Sequence, residues 1–306
     1  MTSAPGAAPG AVTDNLRGMM WMLVSTLLFA CMHAMVRMTT QEIDPFIVAF
    51  FRNLFGVLTI LPVLAYGRFH ALKTRRFGLH LTRAAINVVA MLCFFWALSM
   101  TPLADVAALS FTAPVFATVL AIFVLGERVR LKRWSAILFG FAGTIVILRP
   151  GLETVSPGAL LVLASSVTWA CALMIIKLLG RTESALTITT YMVVLMCPMS
   201  LVPALFVWEW PDWEMLGWLA LLGTFGTLAQ IAMTMGLKAG DTNVVMPMDF
   251  FKLVWAAGLG FVVFAEVPDA FVWLGGLMIF GSATYIAIRE RELKKQPIEA
   301  PRSTPV

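Results

Sequence analysis

The chain has 306 residues, of which 60% are hydrophobic and 13% are charged, and its mean hydropathy is +0.87. Soluble domains carry about a quarter charged residues, so this composition excludes an ordinary soluble protein and predicts an integral membrane protein. The net charge of +5 does not predict a nucleic-acid partner, because the basic residues are confined to a few connections between apolar runs.

Largely uncharged runs recur along the whole chain. A helix of about 20 residues is long enough to cross the hydrocarbon layer of a bilayer. Strands of a membrane barrel would alternate apolar and polar residues, whereas these runs are apolar at nearly every position. We therefore predict an all-α integral membrane protein. The four cysteines lie inside such runs, where small packing residues are expected rather than disulfides.

The predicted elements begin after a tail. Residues Met1–Asn15 are rich in Ala, Pro and Gly and lack the features of a signal peptide, so we expect a disordered cytoplasmic tail. Ten predicted spans follow: Leu16–Met38, Phe46–Tyr66, Leu79–Met100, Leu103–Leu125, Leu131–Leu148, Pro157–Leu179, Leu186–Trp208, Met215–Leu237, Thr242–Ala265 and Ala270–Ile288. Short connections leave no room for a soluble domain, so one bundle is expected, followed by a cytoplasmic tail at residues 289–306.

The charges in the connections predict the orientation of the bundle. Lys and Arg concentrate on the cytoplasmic side of short loops. One face collects 18 of the 22 basic residues, while the alternate connections hold only Arg37 and Arg149. Both termini are therefore predicted to be cytoplasmic. Arg52 and Lys252 are the two basic residues that fall within spans.

The two halves of the chain resemble each other. Residues 101–134 align with residues 240–273 at an offset of 139 positions, which places Glu127 on Glu266. A nearly equal offset places Ser25 on Ser165 in the first and sixth spans. Such self-similarity indicates a duplicated chain.

The duplication predicts the plan of the fold. Residues 16–150 form a first five-helix repeat and residues 156–288 a second. Because each repeat has an odd number of spans, the second enters from the opposite face of the membrane. Inverted repeats of this kind are typical of secondary transporters that work by alternating access.

At this point the sequence resembles the EamA-type carriers of the drug/metabolite transporter superfamily. The resemblance covers nearly the whole chain and rests on these motifs: Phe51-Arg52, Ala113-Pro114-Val115, Leu125-Gly126-Glu127 and Trp134 through Gly143. It implies ten helices in two repeats, with the first, third, fourth, sixth, eighth and ninth around a central cavity. The aromatic and methionine-rich spans resemble bacterial aromatic amino-acid exporters of the YddG type.

Two charged residues lie three positions apart in the ninth predicted span. Ionisable groups at membrane depth are costly and usually face a bundle interior or a wet cavity. Asp249 and Lys252 share a helix face at this spacing. One hypothesis is a purely structural salt bridge. The other is that the pair meets the ammonium and carboxylate groups of a zwitterionic substrate.

Further candidate substrate-binding residues are polar or aromatic. His33 in the first span is a candidate for substrate binding as a hydrogen-bond partner that faces the cavity, with a packing role or proton coupling as the alternatives. The other candidates are Phe29, Phe95, Ser110, Phe111, Trp169, Gln230 and Phe250. The aromatic members either form a stacking chamber for a substrate ring or fill core and lipid-facing positions. Arg52 is interpreted as structural, because it matches a family arginine and lies near the outer end of its span.

Four residues are candidates for gating at the ends and bends of the fourth and ninth spans. Pro114 and Pro247 are the prolines of these spans but do not align with each other, and Glu127 and Glu266 end them at opposite membrane faces. The glutamates are also candidates for a packing role.

The sequence predicts a transporter rather than an enzyme. It contains no Gly-rich loop with Lys-Ser or Lys-Thr that would bind a nucleotide, and no paired catalytic carboxylates or metal motif. We expect a secondary or facilitative exporter of small amino-acid-like metabolites: aromatic and other neutral amino acids, methionine and threonine. The alternatives are an exporter of cationic drugs or other small metabolites and, less favoured, a membrane enzyme. No cofactor is expected, and a monomer is the expected assembly.

Overall fold

The structure is a computed structural model that describes residues 14–66, 74–125, 131–149, 155–179, 182–183, 185–240 and 242–295. Within these ranges all regular secondary structure is helical, as the apolar runs predict. Of the expected tail Met1–Asn15, residues 1–13 lie outside the described residues. The Asp14 side chain accepts a hydrogen bond from the Arg17 backbone N–H at the start of the first helix.

The described residues of the first half form six helices: α1 Asn15–Thr39, α2 Pro45–Tyr66, α3 Phe77–Met100, α4 Leu103–Ser110, α5 Thr112–Leu125 and α6 Leu131–Leu148. The second half contains α7 Pro157–Leu179, α8 Ala185–Leu205, α9 Trp213–Ala239, α10 Thr242–Val245, a 3-10 segment Met246–Phe250, α11 Phe251–Phe264 and α12 Ala270–Lys295. The last helix thus continues past Ile288, where the tenth span was predicted to end.

Length and composition allow eight segments of the described chain to cross a membrane, with two shorter apolar helices at Trp134–Leu148 and Ala270–Ile286. A hydrophobic core shared by both halves fills the bundle, with Leu98, Leu109 and Leu253 almost completely buried.

The fourth and ninth predicted spans are not continuous α-helices. The fourth divides into α4 and α5 at Phe111, whose N–H bonds to the Ala108 carbonyl at 3.3 Å. Pro114 explains this break, because a proline ring clashes with the carbonyl four residues earlier, which here belongs to Ser110, the last residue of α4. In the ninth span Pro247 lies in the 3-10 segment between α10 and α11, since it cannot donate the N–H that would continue α10.

The two interruptions fall at corresponding places. Phe111 and Phe250 are 139 positions apart, the offset that aligns the halves, and each adjoins the start of the second helix of its span. The prolines do not correspond in sequence, so different residues interrupt the two spans at the same level.

Equivalent helix pairs pack through equivalent hydrogen bonds. The Ser25 hydroxyl of α1 donates to the Ala229 carbonyl of α9 at 2.8 Å. The Ser165 hydroxyl of α7 donates to the Ala90 carbonyl of α3 at 2.7 Å. Both serines are buried. Because Ser165 corresponds to Ser25 and Ala229 to Ala90, the duplication is visible in the packing as well as in the sequence.

Glycines bring α6 and α12 into backbone contact. A methyl group added at Gly143 would lie 2.7 Å from the Gly275 carbonyl oxygen, and one added at Gly275 would lie 2.5 Å from the Gly143 carbonyl oxygen. Small residues at a crossing let membrane helices approach closely. Near this crossing the Ser282 hydroxyl donates to the Ala136 carbonyl at 2.5 Å.

Candidate functional site

Asp249 and Lys252 form an ion pair at the interruption of the ninth span. The Lys252 Nζ lies 2.5 Å from the Asp249 Oδ1, and the two side chains are 21% and 24% exposed for Asp249 and Lys252 respectively. Asp249 belongs to the 3-10 segment and Lys252 to the first turn of α11. Residues three apart are nearly eclipsed in 3-10 geometry, so the local fold aligns these side chains.

An aromatic ring of α1 contacts the Lys252 ammonium group and begins a row of three rings. The Lys252 Nζ lies 5.2 Å from the centre of the Phe29 ring, a cation–π distance. The Phe29 and His33 rings stack at 6.2 Å, and the His33 ring lies 5.0 Å from that of Phe94 on α3. Side chains from α1, α3 and α11 therefore converge, and this group is the central cluster: Asp249, Lys252, Phe29, His33 and Phe94.

Arg52 adjoins the central cluster from α2. Its guanidinium donates a hydrogen bond to the Asn53 Oδ1 at 3.0 Å. A methyl group at Gly226 of α9 would lie 3.3 Å from both Nε and Nη2 of Arg52. The same methyl group would lie 2.7 Å from the sulfur of Met32, the neighbour of His33 on α1. The Arg52 side chain therefore points into the bundle towards α9, whereas the sequence suggested only a structural arginine near a helix end.

A second aromatic group lies between the two interrupted spans. The Phe111 and Phe250 rings stack at 6.0 Å, and both contact Phe280 of α12, at 5.7 and 4.8 Å. The first two were predicted as substrate-binding residues from the repeat. Phe280 was missed, and its position gives little signal because it follows three other large apolar residues, Leu277, Met278 and Ile279, in the tenth span.

Glu266 joins three helices at one end of the bundle. Its carboxylate forms an ion pair with Arg37 of α1 and accepts the Leu103 N–H of α4 at 2.9 Å. Arg37 also donates to the carbonyls of Leu98, at 3.0 Å, and Thr101. The first N–H groups of a helix lack internal partners, so the Glu266 carboxylate completes the start of α4. The sequence indicated a terminal glutamate but not its partner.

A second ion pair lies at the same end. Arg149 Nη1, after α6, is 2.7 Å from Asp269 Oδ2, before α12, and its guanidinium lies 4.9 Å from the centre of the Phe271 ring. We call this region, with Arg37, Glu266, Arg149 and Asp269, the ion-paired end. It ties α1, α4, α6, α11 and α12 together.

Four other predicted site residues make no ring contact, ion pair or side-chain hydrogen bond with these groups within the described residues. Trp169 of α7 is 38% exposed and makes no ring contact with Phe29 within the described residues. Phe95 is 3% exposed and belongs to the hydrophobic core. The Ser110 hydroxyl donates to the Ala107 carbonyl of its own helix at 2.7 Å. Gln230 is half-buried on α9.

The predicted gating residues that the structure describes lie on different elements of the fold. Pro114 is exposed at the start of α5, Pro247 is half-buried in the 3-10 segment, and Glu266 is at the ion-paired end. Glu127 lies outside the described residues. In the part of the chain that the structure describes, no three His, Cys, Asp or Glu side chains are grouped closely enough to hold a metal ion.

Comparisons with known proteins identify related transporters. A riboflavin transporter of Vibrio cholerae is 32% identical over 277 residues, covering 89% of this chain and 93% of its own. An S-adenosylmethionine uptake transporter of Rickettsia prowazekii is 27% identical and covers 92% and 96%. A pseudopaline exporter of Pseudomonas aeruginosa is 26% identical and covers 88% and 95%. The predicted transporter, rather than an enzyme, is confirmed, although none of these names concerns amino-acid export.

A solved crystal structure has the same fold, with a TM-score of 0.62 at 17% identity over 90% of this chain and 98% of its own. The model of the EamA-like transporter family matches residues 16–149 and again residues 156–288. These matches confirm the family resemblance drawn from the motifs, and with the bacterial relatives they make this a multi-pass membrane protein. The chain is a member of the EamA-like transporter family.

Proposed function

We propose that this protein is a secondary transporter in the bacterial inner membrane that carries small amino-acid-like metabolites with a ring or thioether side chain by alternating access. The observation that carries the proposal is the central cluster. An ammonium and a carboxylate, 2.5 Å apart, lie at the interruption of a membrane helix, with the ammonium 5.2 Å from an aromatic ring. A zwitterion can exchange partners with such a pair while its side chain stacks on the rings.

The repeat supports a transport mechanism. We propose ten spans in two inverted five-helix repeats, the fourth formed by α4 and α5 and the ninth by α10, the 3-10 segment and α11. The corresponding interruptions and the matched Ser25 and Ser165 hydrogen bonds support this plan. Interrupted helices at the interface of two repeats are where transporters commonly bind substrate and bend.

The gates follow from the same plan. The ion-paired end is the closed end of the pathway in this conformation, with Glu266 holding Arg37 against the start of α4. Glu127 is the repeat mate of Glu266 and is proposed to serve the opposite end. Pro114 and Pro247, beside the two interruptions, are the proposed points of bending.

A second candidate substrate class is flavins. The riboflavin transporter of Vibrio cholerae, at 32% identity, favours it, and the stacked Phe111 and Phe250 rings suit a planar ring system. The S-adenosylmethionine relative favours the first proposal, because that solute joins an amino-acid group to an aromatic ring. The names of the relatives include both uptake and export, so the direction of transport is left to measurement.

Counterflow in reconstituted liposomes tests the proposal. Vesicles are loaded in turn with tryptophan, phenylalanine, methionine, threonine, S-adenosylmethionine, riboflavin or a lipophilic cation, with and without a proton gradient. We expect exchange of at least one amino-acid-like solute, recovered chemically unchanged, and its loss in Lys252→Met. Exchange of riboflavin alone would establish the second candidate, and exchange of the cation alone would contradict both.

A further inference from the structure

We propose that Arg52 binds an anionic group of the transported solute, so that the solute class is narrowed to small molecules with a carboxylate or similar acid beside a ring. This inference rests on the proposed transport function and deepens it. Arg52 was outside the set of substrate-binding residues suggested by the sequence, and its role follows from where its side chain points and what surrounds it.

Among the described residues, no carboxylate forms an ion pair with Arg52. Its only hydrogen-bond partner among the residues that the structure describes is the neutral Asn53 amide oxygen. In the same part of the chain, the one carboxylate of the central cluster, Asp249, is already paired with Lys252. Arginines inside membrane helices are usually paired, because an isolated charge there is costly. An acid must therefore come from outside the protein to complete this site.

The second observation is the close approach of α9 to the guanidinium. Gly226 of α9 is buried, and a methyl group added there would lie 3.3 Å from two Arg52 nitrogens and 2.7 Å from the Met32 sulfur. The planar fork of arginine binds a carboxylate through two parallel hydrogen bonds. A methyl group at this position would press on the fork, so we expect glycine to be needed for that geometry.

A third observation connects Arg52 with the rings. The methyl position at Gly226 that lies 3.3 Å from two Arg52 nitrogens also lies 2.7 Å from the sulfur of Met32 on α1. The next residue of α1 is His33, whose ring contacts Phe29 and Phe94. A solute with its acid on Arg52 would therefore place an adjoining ring against α1 and α3. Its ammonium, where present, would meet Asp249. The arrangement prefers an aromatic acid over the amine that lacks the carboxylate.

Three indole compounds test the proposal: tryptophan, indole-3-propionate without the ammonium, and tryptamine without the carboxylate. The readout is the shift in thermal unfolding midpoint of the purified full-length carrier in detergent, titrated with each probe. We expect the wild-type carrier to bind tryptophan and indole-3-propionate. Arg52→Gln should lower the affinity for both by about tenfold or more, because a charge-assisted hydrogen bond is lost. Its affinity for tryptamine should stay within about twofold of the wild-type value.

Arg83→Gln is the matched control. Arg83 is a buried arginine that donates to the Ile188 carbonyl at 2.8 Å between α3 and α8. It is expected to lower stability without changing the preference for acids. Gly226→Ala is a second variant, expected to weaken acid binding with the Arg52 charge retained, and it carries the test if Arg52→Gln does not fold.

The outcomes separate this inference from the proposed function. Equal effects of tryptamine and indole-3-propionate on the wild-type protein, or unchanged acid binding in Arg52→Gln, would overturn the role of Arg52 even if counterflow succeeds. Failed counterflow with preserved, Arg52-dependent acid binding would overturn the transport proposal alone. Displacement of indole-3-propionate by phosphatidylglycerol but not by phosphatidylcholine would assign Arg52 to a lipid and overturn its role in solute binding.

Discussion

At the scale of single residues, the charged side chains inside the bundle differ in the partners they have. Asp249 and Lys252 neutralise each other within one turn, whereas Arg37 reaches Glu266 from the other half of the chain. Among the described residues, Arg52 has only a neutral hydrogen-bond partner. We expect different consequences from the three: on the proposed function the first pair exchanges partners with a zwitterion, the second holds helices together, and Arg52 binds an acid.

A double-mutant cycle tests whether the Asp249 and Lys252 pair is structural, functional or both. We expect Asp249→Asn and Lys252→Met each to lower the free energy of unfolding by about 1.5–3 kcal/mol, since each leaves one charge unpaired. The double variant should recover much of this loss. Chemical unfolding of the purified carrier measures stability, and counterflow measures function.

The function of the double variant separates the two hypotheses. If the pair contacts substrate, the stable double variant stays inactive. If the double variant recovered both stability and wild-type counterflow, the ion pair would be purely structural.

At the scale of helices, two features organise the bundle: interruptions and close crossings. The breaks at Phe111 and in Met246–Phe250 place short helix ends inside the bundle. Continuous helices such as α6 and α12 instead cross through glycine at backbone contact distance. We expect motion at the two interrupted spans, where a helix can bend. The crossing of α6 and α12 is expected to stay fixed, because separating these helices would lose their backbone contact.

Glycine-to-alanine variants of α12 test the crossing. Gly275→Ala would place a methyl group 2.5 Å from the Gly143 carbonyl oxygen, whereas the same change at Gly281 meets nothing within 4 Å. We expect Gly275→Ala to lower the free energy of unfolding by about 1–3 kcal/mol through overpacking. Gly281→Ala, on the same helix, is expected to be neutral or slightly stabilising. Equal stabilities of the two variants would contradict the crossing.

At the scale of the whole molecule, the ion-paired end joins five helices and is the proposed closed side of the bundle. Glu266 links α11 to α1 and to the start of α4, and Arg149 with Asp269 links the ends of α6 and α12. In an alternating-access transporter such contacts must break when that side opens. The free energy of the closed state therefore depends on them.

Accessibility to a reagent from that side tests the closure. In a background with the four native cysteines replaced by alanine, a cysteine is placed at Ser110, half-buried at the interruption, and labelled with a membrane-impermeant maleimide. We expect Glu266→Gln to raise the labelling rate by about tenfold, because it loses the ion pair with Arg37 and weakens the acceptor for the Leu103 N–H.

Asp269→Asn is the matched control for this measurement. It breaks the ion pair between Asp269 and Arg149. Because the Asp269 side chain is 42% exposed, this pair contributes less to stability, and we expect a smaller increase in the labelling rate than in Glu266→Gln. An unchanged rate in Glu266→Gln would show that Glu266 does not hold the pathway closed.

Much of the architecture was predictable because its signals are local or repeat along the chain. Apolar length predicts helices that suit a bilayer, and the 139-residue spacing of Glu127 and Glu266 predicts the duplication. The family motifs around Phe51-Arg52 and Pro114 were equally readable and were confirmed by the family match. Among the site residues, the pairing of Asp249 with Lys252 was predictable because they lie three positions apart.

Only the tertiary structure decided which distant side chains meet. The partner of Arg37 is 229 positions away at Glu266, and Gly226 beside Arg52 belongs to the other half of the chain. The aromatic residues in contact, Phe29 with His33 and Phe250 with Phe280, could not be separated in sequence from those that face lipid. The physical reason is that a bilayer and a protein core are both apolar, so the hydrophobic pattern that marks the buried face of a soluble helix is absent. By itself the sequence determined a duplicated, all-helical membrane transporter, and the folded chain determined where its charges and rings come together.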